Sequence, residues 1–207
     1  MSSTAPVVFI IDDDGGMRAA MQRLLKSVGL RSEAFAAAQD FLERTPHDGT
    51  GCLILDVRLP GMSGLDLQRK LIEADVNIPI IFITAHGDIP MSVRAMKSGA
   101  VEFLTKPFRD QDLLDAIHQA LERNRVARQM QNDIAELQLR FERLTARERQ
   151  VMRLVVSGMP TKEIASVLGT SEVTTKVHRG QVMRKLKAGS LVELGRMAEK
   201  LKVSTEE

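Results

Sequence analysis

The sequence contains no tryptophan and no tyrosine, and seven phenylalanines are its only aromatic residues. Proteins that bind single-stranded nucleic acid stack bases on aromatic rings, so this composition argues against that class. The one cysteine, Cys52, leaves no partner for a disulfide within the chain, which fits a reducing compartment. Because Cys52 opens the apolar run "CLIL", we expect it to be a small residue of the core.

Long hydrophobic runs are also missing. No apolar stretch approaches the roughly 20 residues that a membrane-spanning helix needs. The start, "MSSTAPVVFI", lacks the charged and apolar regions of a signal peptide. The sequence therefore predicts a cytoplasmic protein with no membrane partner, and its 207 residues allow one large or two small globular domains.

Charge is distributed unevenly between the two halves. Residues 1–124 carry 13 Lys and Arg against 17 Asp and Glu, whereas residues 125–207 carry 16 against 10. An acidic half joined to a basic half predicts two functions, with the basic half facing a polyanion.

Short apolar runs alternate with segments of helical periodicity in the first half. Five runs are predicted to be strands: "VVFII", "RSEAF", "CLILD", "IPIIFIT" and "VEFLTKP". Strands that alternate with helices form a parallel sheet covered on both faces, and sites in such sheets lie at the carboxyl ends of the strands.

Polar side chains follow these runs at one edge of the predicted sheet. Asp12 and Asp13 follow the first strand, Asp56 ends the third, Thr84 ends the fourth and Lys106 follows the fifth. A single strand-end carboxylate is often just the polar end of a strand, but clustered carboxylates repel one another unless a cation lies among them. An all-oxygen set suits Mg²⁺, with Mn²⁺ as the alternative ion, and a carboxylate can also act as a nucleophile toward phosphorus.

Four segments, "IIDDD", "LDVRLPGMSG", "ITAHGD" and "FLTKPF", resemble the receiver domain of bacterial two-component response regulators. The resemblance assigns residues 1–124 to this domain. It implies an α/β doubly wound, five-stranded parallel sheet of order 2-1-3-4-5, and a phosphorelay in which a sensor histidine kinase phosphorylates Asp56. Thr84 and Lys106 would contact the phosphoryl oxygens, and Phe103 matches an aromatic switch residue that rotates when Thr84 moves.

The same resemblance implies a metal site and a phosphoryl lifetime. Asp13, Asp56 and the main-chain carbonyl of Arg58 would hold Mg²⁺, and Asp12 would reach the ion through water. Arg58 and His86 occupy the two positions that modulate the lifetime of the phosphoryl group in this family. Both side chains are bulky enough to hinder water, so we expect a lifetime that is not very short.

The middle of the chain is predicted to be one long helix. No glycine or proline occurs from Asp110 to Leu144, and apolar residues recur at heptad spacing: Met130, Ile134, Leu137, Phe141 and Leu144. Residues 125–143 are therefore interpreted as a helical linker that continues the last receiver helix. The stripe would contact either its twin in a dimer or the following domain; the alternative is a shorter helix and a flexible tether.

The last segment has the pattern of a helix-turn-helix. Thr145 and Glu148 are spaced as a capping box, as are Ser190 and Glu193, and a basic helix, "VTTKVHRGQVMRKLKA", follows a short turn. Residues 144–207 resemble the LuxR-type DNA-binding domain, a separate all-α four-helix domain, of the FixJ/NarL response regulators, which include the StyR-like regulators. The predicted DNA contacts are Lys162, Thr174, Thr175, Lys176, Val177, His178 and Arg179.

These observations predict a DNA-binding response regulator. Phosphorylation would drive homodimerisation through apolar residues of the fourth helix, Ile89, Val93 and Met96, and promoter binding would regulate transcription, most simply by activation with RNA polymerase as a partner. The chain is not expected to be an enzyme beyond its own phosphotransfer and autodephosphorylation. Two alternatives stay open: a Mg²⁺-dependent phosphatase, which Arg58 disfavours because such enzymes carry Asp there, and an adaptor whose basic domain binds protein.

Overall fold

The computed structural model describes residues 5–45, 47–85 and 87–203. The chain divides into two compact units, Met1–Arg128 and Gln129–Glu207, each with its own core. In the first unit, five parallel strands form one sheet of order β2-β1-β3-β4-β5, which confirms the predicted fold. The strands are β1 (Val7–Ile11), β2 (Arg31–Phe35), β3 (Gly51–Asp56), β4 (Ile80–Thr84) and β5 (Glu102–Thr105).

Helices cover both faces of this sheet. They are α1 (Gly15–Ser27), α2 (Ala38–Glu43), α3 (Gly64–Glu73), α4 (Ile89–Lys97) and α5 (Asp110–Glu142). Every residue of β1, β3 and β4 is buried, and alternate side chains of β1 point to opposite faces. Phe9 packs in the core beneath α2 and α3, whereas Ile10 packs in the core beneath α1 and α5. This double burial explains why the strands are continuous apolar runs, with their polar residues at the ends.

Aspartates cap two of these helices. The Oδ1 atom of Asp14 accepts hydrogen bonds from the N–H groups of Gly16 and Met17 at 2.7 and 3.2 Å, which begins α1. Asp88 Oδ1 accepts from the Met91 N–H at 2.7 Å, so Asp88 is the N-cap of α4.

The predicted long helix is present as α5, which has 33 residues. In the first unit, Asn124 ties it to the amino ends of the strands: its Oδ1 accepts from the Gly51 N–H at 3.0 Å, and its Nδ2 donates to the Asn77 carbonyl at 3.0 Å. In the second unit, Leu137 of the same helix is buried in the core of that unit. This part of the heptad stripe therefore packs on the following helices, while Met130 is 63% exposed. The domain borders at residues 124 and 143 stay predictions.

Four further helices complete the second unit: α6 (Ala146–Val156), α7 (Thr161–Val167), α8 (Glu172–Leu186) and α9 (Leu191–Lys200). The capping box of Thr145 and Glu148 is confirmed. The second predicted box is wrong in one half: Ser190 accepts from the Glu193 N–H, but the Glu193 carboxylate accepts from the Gly189 N–H at 2.7 Å. Within the described ranges, no helix is both long and apolar enough to cross a membrane.

Candidate functional site

The carboxyl ends of β1, β3 and β5 meet at a cluster of opposite charges. The ammonium group of Lys106, which follows β5, donates to Asp12 Oδ2 at 2.7 Å and to Asp56 Oδ2 at 2.5 Å. Asp12 follows β1 and Asp56 ends β3, so three strand ends supply this contact. The parallel sheet produces it because all its strands end at the same edge.

Asp56 is held on both carboxylate oxygens. Its Oδ1 accepts from the Arg58 N–H at 2.9 Å, its Oδ2 accepts from Lys106, and the residue is 6% exposed. The start of α3 lies directly on its main chain, because a Cβ atom on Gly64 would stand 2.3 Å from the Asp56 carbonyl oxygen. A glycine at position 64 is therefore necessary for the close approach that fixes Asp56.

Burial and charge act against each other at Asp12 and Lys106. Burial raises the pKa of the Asp12 carboxyl above its usual value, although hydrogen bonds from Lys106 and from the Asp14 N–H oppose the rise. Burial alone would lower the pKa of Lys106, but its hydrogen bonds with Asp12 and Asp56 outweigh burial, and the pKa lies above its usual value. Lys106 is therefore a permanent cation in this site.

Three carboxylates of this cluster fit a divalent cation. One oxygen each from Asp12, Asp13 and Asp56 lies within 4.8 Å of the others. Ligands around Mg²⁺ stand about 3 to 4 Å apart, given metal–oxygen distances of about 2.1 Å. One ammonium group cannot neutralise three ionised carboxylates, so the donor set and its charge both suit Mg²⁺. Asp13 is exposed, so the cluster is open to water on its side.

Thr84 and Phe103 lie on the neighbouring strands β4 and β5. Thr84 is fully buried, and its carbonyl accepts from the Lys106 N–H at 2.8 Å, which aligns the two strand ends. The half-buried ring of Phe103 packs beside Phe82, with 6.2 Å between ring centroids. Arg58 is exposed, and His86 lies outside the described residues.

The sequence interpretation missed two features of this site. Asp14 is the N-cap of α1. The hydrogen bonds that its carboxylate accepts from the main chain of α1 also lower its pKa. Arg18 donates to the Asp12 carbonyl at 2.6 Å and fixes the main chain where β1 ends. Its position about one helical turn into α1 was the only sequence signal for this contact.

A second candidate surface lies on α8 in the second unit. Val173, Lys176, Val177 and Gly180 are exposed at helical spacings of three and four, so they share one face of α8. The opposite face is buried and includes Val182 and Leu186. Exposed valines beside Lys176 on one face suit an apolar and cationic contact with a duplex groove. Of the other predicted contacts, Lys162 and Thr174 are exposed, and His178 and Arg179 are half-buried.

Thr175 does not belong to this surface. It is 1% exposed, and its hydroxyl is 3.0 Å from the hydroxyl of Thr170 at the end of the turn before α8. The prediction of a DNA contact at Thr175 is replaced by a packing role, because the helix turns this side chain into the domain.

A partly buried ion pair fixes the far end of α8. Lys185 donates to Glu148 Oε2 at 2.6 Å and to the Arg143 carbonyl at 3.2 Å, and Glu148 is 4% exposed. Burial alone would raise the pKa of Glu148, but the hydrogen bonds from Lys185 and the Thr145 N–H outweigh it and lower the pKa. The exposed face of α8 is thereby held relative to the start of α6.

Two family models match the chain. The response regulator receiver domain matches residues 8–118, and the bacterial regulatory proteins of the luxR family match residues 142–198. Nodulation protein W of Bradyrhizobium diazoefficiens is 53% identical over 98% of this chain and 89% of its own length. The response regulator protein TodT of Pseudomonas putida is 48% identical over 100% of this chain and 91% of its own length.

A solved structure is similar over both units. The low-resolution structure of the response regulator StyR has 50% sequence identity and a TM-score of 0.86. The match covers 95% of this chain and 100% of that chain.

Removing the Asp12 carboxylate is predicted to stabilise the folded chain at neutral pH without divalent ions. Because the folded pKa of Asp12 lies above its ordinary value of 3.8, the folded state loses stability as the pH rises through the raised pKa. Asp12→Asn carries no such charge, so its free energy of unfolding should exceed that of the wild type at neutral pH. The advantage should disappear as the pH falls below 3.8. Urea unfolding in a chelator across this range measures both.

Asp66→Asn is the control of opposite sign, because the Ser63 hydroxyl lowers the pKa of Asp66. This variant should lose stability at neutral pH and regain it in acid. An Asp12→Asn variant less stable than the wild type at neutral pH would show that the Lys106 contact outweighs burial.

Proposed function

The chain belongs to the FixJ/NarL family of response regulators, which join a receiver domain to a LuxR-type DNA-binding domain, and we propose that Asp56 is its phosphoacceptor. Its membership of this family of transcriptional regulators implies that a histidine kinase and DNA are its partners. The observation that carries the assignment is the contact of Lys106 with Asp56, at 2.5 Å, beside the carboxylates of Asp12 and Asp13.

In the proposed transfer, a carboxylate oxygen of Asp56 attacks the phosphorus of a phosphohistidine on the sensor kinase. A phosphorus–oxygen bond forms as the phosphorus–nitrogen bond breaks, and the electron pair stays on the imidazole nitrogen. The ammonium group of Lys106, already in contact with Asp56, neutralises charge on the incoming phosphoryl oxygens. Water later hydrolyses the acyl phosphate, which returns the Asp56 carboxylate and inorganic phosphate.

This self-directed chemistry is the only catalysis in the proposal. An enzyme that turned over small phosphate esters would need an acid and base two residues after the nucleophile, and Arg58 stands there. The guanidinium group stays protonated and cannot give up a proton to a leaving group. The structure therefore supports a signalling carboxylate better than a phosphatase.

Mg²⁺, with Mn²⁺ as the alternative, would supply charge neutralisation at the phosphoryl oxygens when bound. Asp13 and Asp56 would hold it directly and Asp12 through water, and their clustered oxygens fit that role. The Arg58 carbonyl is proposed as a further ligand. The hydrogen bond from the Arg58 N–H to Asp56 supports this, because it keeps the main chain of Arg58 beside the carboxylate.

The proposed response passes from the site to α4. Thr84, at the end of β4, would contact a phosphoryl oxygen, and Phe103 on the adjacent strand would change position with it. Ile89, Val93 and Met96 of α4 are 79%, 43% and 43% exposed, and this apolar face supports the proposal of a homodimer contact. Dimerisation would pair two α8 helices on half-sites about one turn of the duplex apart.

The exposed face of α8 is the proposed reader of promoter DNA. Lys176 and Val177 would approach base edges, while Thr174, His178, Arg179 and the more distant Lys162 would contact the backbone or base edges. Activation through contact with RNA polymerase completes the proposal.

Phosphorylation is predicted to produce a dimer that depends on α4. Sedimentation of the full chain with acetyl phosphate and Mg²⁺ should show a dimer, and Asp56→Asn should stay monomeric. Val93→Glu should accept the phosphoryl group and stay monomeric, because a charge would be buried in the contact. Ile72→Glu, which changes a 56% exposed residue of α3, is the matched control and should dimerise. A normal dimer of Val93→Glu would contradict the α4 contact.

The two classes of α8 residue should separate in a DNA titration. Arg179→Ala should weaken binding to a mixed-sequence duplex and reduce the salt slope by about one. Thr175→Val should instead cost about 1 kcal/mol of stability, through the lost hydroxyl contact, with the affinity of the folded protein unchanged. Lys200→Ala, at an exposed position of α9, is the charge-matched control. Equal affinity for Arg179→Ala and the wild type would remove Arg179 from the interface.

A further inference from the structure

Three side chains from two strands surround the place that a Cβ atom would take on Gly87. That atom would lie 2.8 Å from Cε1 of Phe103 and 3.2 Å from the methyl carbons of Thr84 and Thr105. Carbon atoms in contact stand about 3.5 to 4 Å apart, so a larger residue cannot enter while these neighbours keep their positions. The loop between β4 and α4 therefore packs against Phe103 and Thr84 at Gly87, its one residue without a side chain.

The neighbours of Gly87 differ from those of the other closely packed glycine of this edge, Gly64. At Gly64 the obstacle is main chain, the carbonyl of Asp56 at 2.3 Å, and a substitution there would disturb the sheet edge. At Gly87 the obstacles are all side chains, and two of them are the residues proposed to move on phosphorylation. A substitution at Gly87 therefore acts first on Thr84 and Phe103.

Gly87 is also close along the chain to the proposed dimer face. Asp88, the next residue, is the N-cap of α4, and its side chain holds the Met91 N–H at 2.7 Å. Ile89, the first residue of α4, is 79% exposed. A displacement of the loop at Gly87 thus reaches the exposed face of α4 after two residues.

We infer that Gly87 is a positioning residue that couples Thr84 and Phe103 to α4. Because no gap separates the loop from these two side chains, a change in either must be matched by the loop, and the loop begins α4. The inference rests on the proposed function, since it describes how the state of Asp56 reaches the dimer contact. It adds Gly87 to the residues of this coupling, where Gly87 acts by having no side chain.

The test compares the full-length wild type with Gly87→Ala. Both are phosphorylated with acetyl phosphate and Mg²⁺, and intact mass fixes the phosphorylated fraction so that binding is compared at equal occupancy. The readout is the ratio of the unphosphorylated to the phosphorylated Kd for a duplex selected from a random pool by phosphorylated wild type. Coupling between sites is commonly worth about 5- to 150-fold, and Gly87→Ala should bring this ratio toward about one.

Gly195→Ala is the matched control, because a Cβ there meets nothing within 4 Å. It should keep the wild-type ratio. A wild-type ratio in Gly87→Ala, with or without a lower Tm, would overturn the inference and leave Gly87 a packing residue. If the wild type accepts no phosphoryl group, or if phosphorylation leaves its DNA affinity unchanged, the proposed function and this inference are both overturned. The measurements on the wild type alone reveal that case.

A second comparison tests the contact itself. Phe103→Leu removes the ring carbon that the new Cβ would meet, so Gly87→Ala should lower the Tm much less in the Phe103→Leu background than in the wild-type background. Recovery of folding in the double variant would support the contact even if Gly87→Ala alone does not fold. Equal losses of Tm in both backgrounds, or a double variant that stays unfolded, would contradict it.

Discussion

The ammonium group of Lys106 lies between two carboxylates that end different strands, and the geometry of the receiver site depends on this contact. Asp12 and Asp56 are both nearly inaccessible to water, and two carboxylates in such a place repel each other. Lys106, at 2.7 and 2.5 Å, opposes that repulsion, but burial is the larger effect at Asp12 and still raises the pKa of its carboxyl. The carboxylates of Asp12, Asp13 and Asp56 outnumber this one ammonium group, and their charge suits a divalent cation.

Glycine determines how the rest of the receiver lies against this cluster. Gly64 lets the start of α3 lie on the main chain of Asp56, and Gly87 lets the loop before α4 rest on Thr84 and Phe103. Both positions bring main chain closer than any side chain would permit. The start of α3 and the loop before α4 must therefore shift when the residues of the site move. Such close packing is a physical requirement for a phosphorylation switch. In the second unit, the partly buried Glu148–Lys185 pair holds α8, whose exposed face is the proposed reader of a duplex.

The strand order and the meeting of Asp12, Asp56 and Lys106 could be predicted because fully buried strands are long apolar runs whose polar ends share one edge. Capping and burial of single side chains were harder. Asp14 is chemically the same as Asp12 and Asp13, and only the start of α1 turns it into a cap. Thr175 lies between residues that face outward, and its burial depends on the rotation of α8 about its axis. That rotation could not be inferred from the sequence, because the neighbouring Val173 and Val177 are apolar but exposed. Glu193 reaches Gly189 instead of Ser190, a choice that spacing alone does not decide.

The most direct test of the account is the intact mass of the full chain after incubation with acetyl phosphate and Mg²⁺, for the wild type and for Asp56→Asn. The account predicts one phosphoryl adduct on the wild type, lost when Mg²⁺ is chelated beforehand, and none on Asp56→Asn. An adduct that persists on Asp56→Asn would contradict it, because the phosphoacceptor would then be a carboxylate other than the one that Lys106 and Arg58 hold at the end of β3.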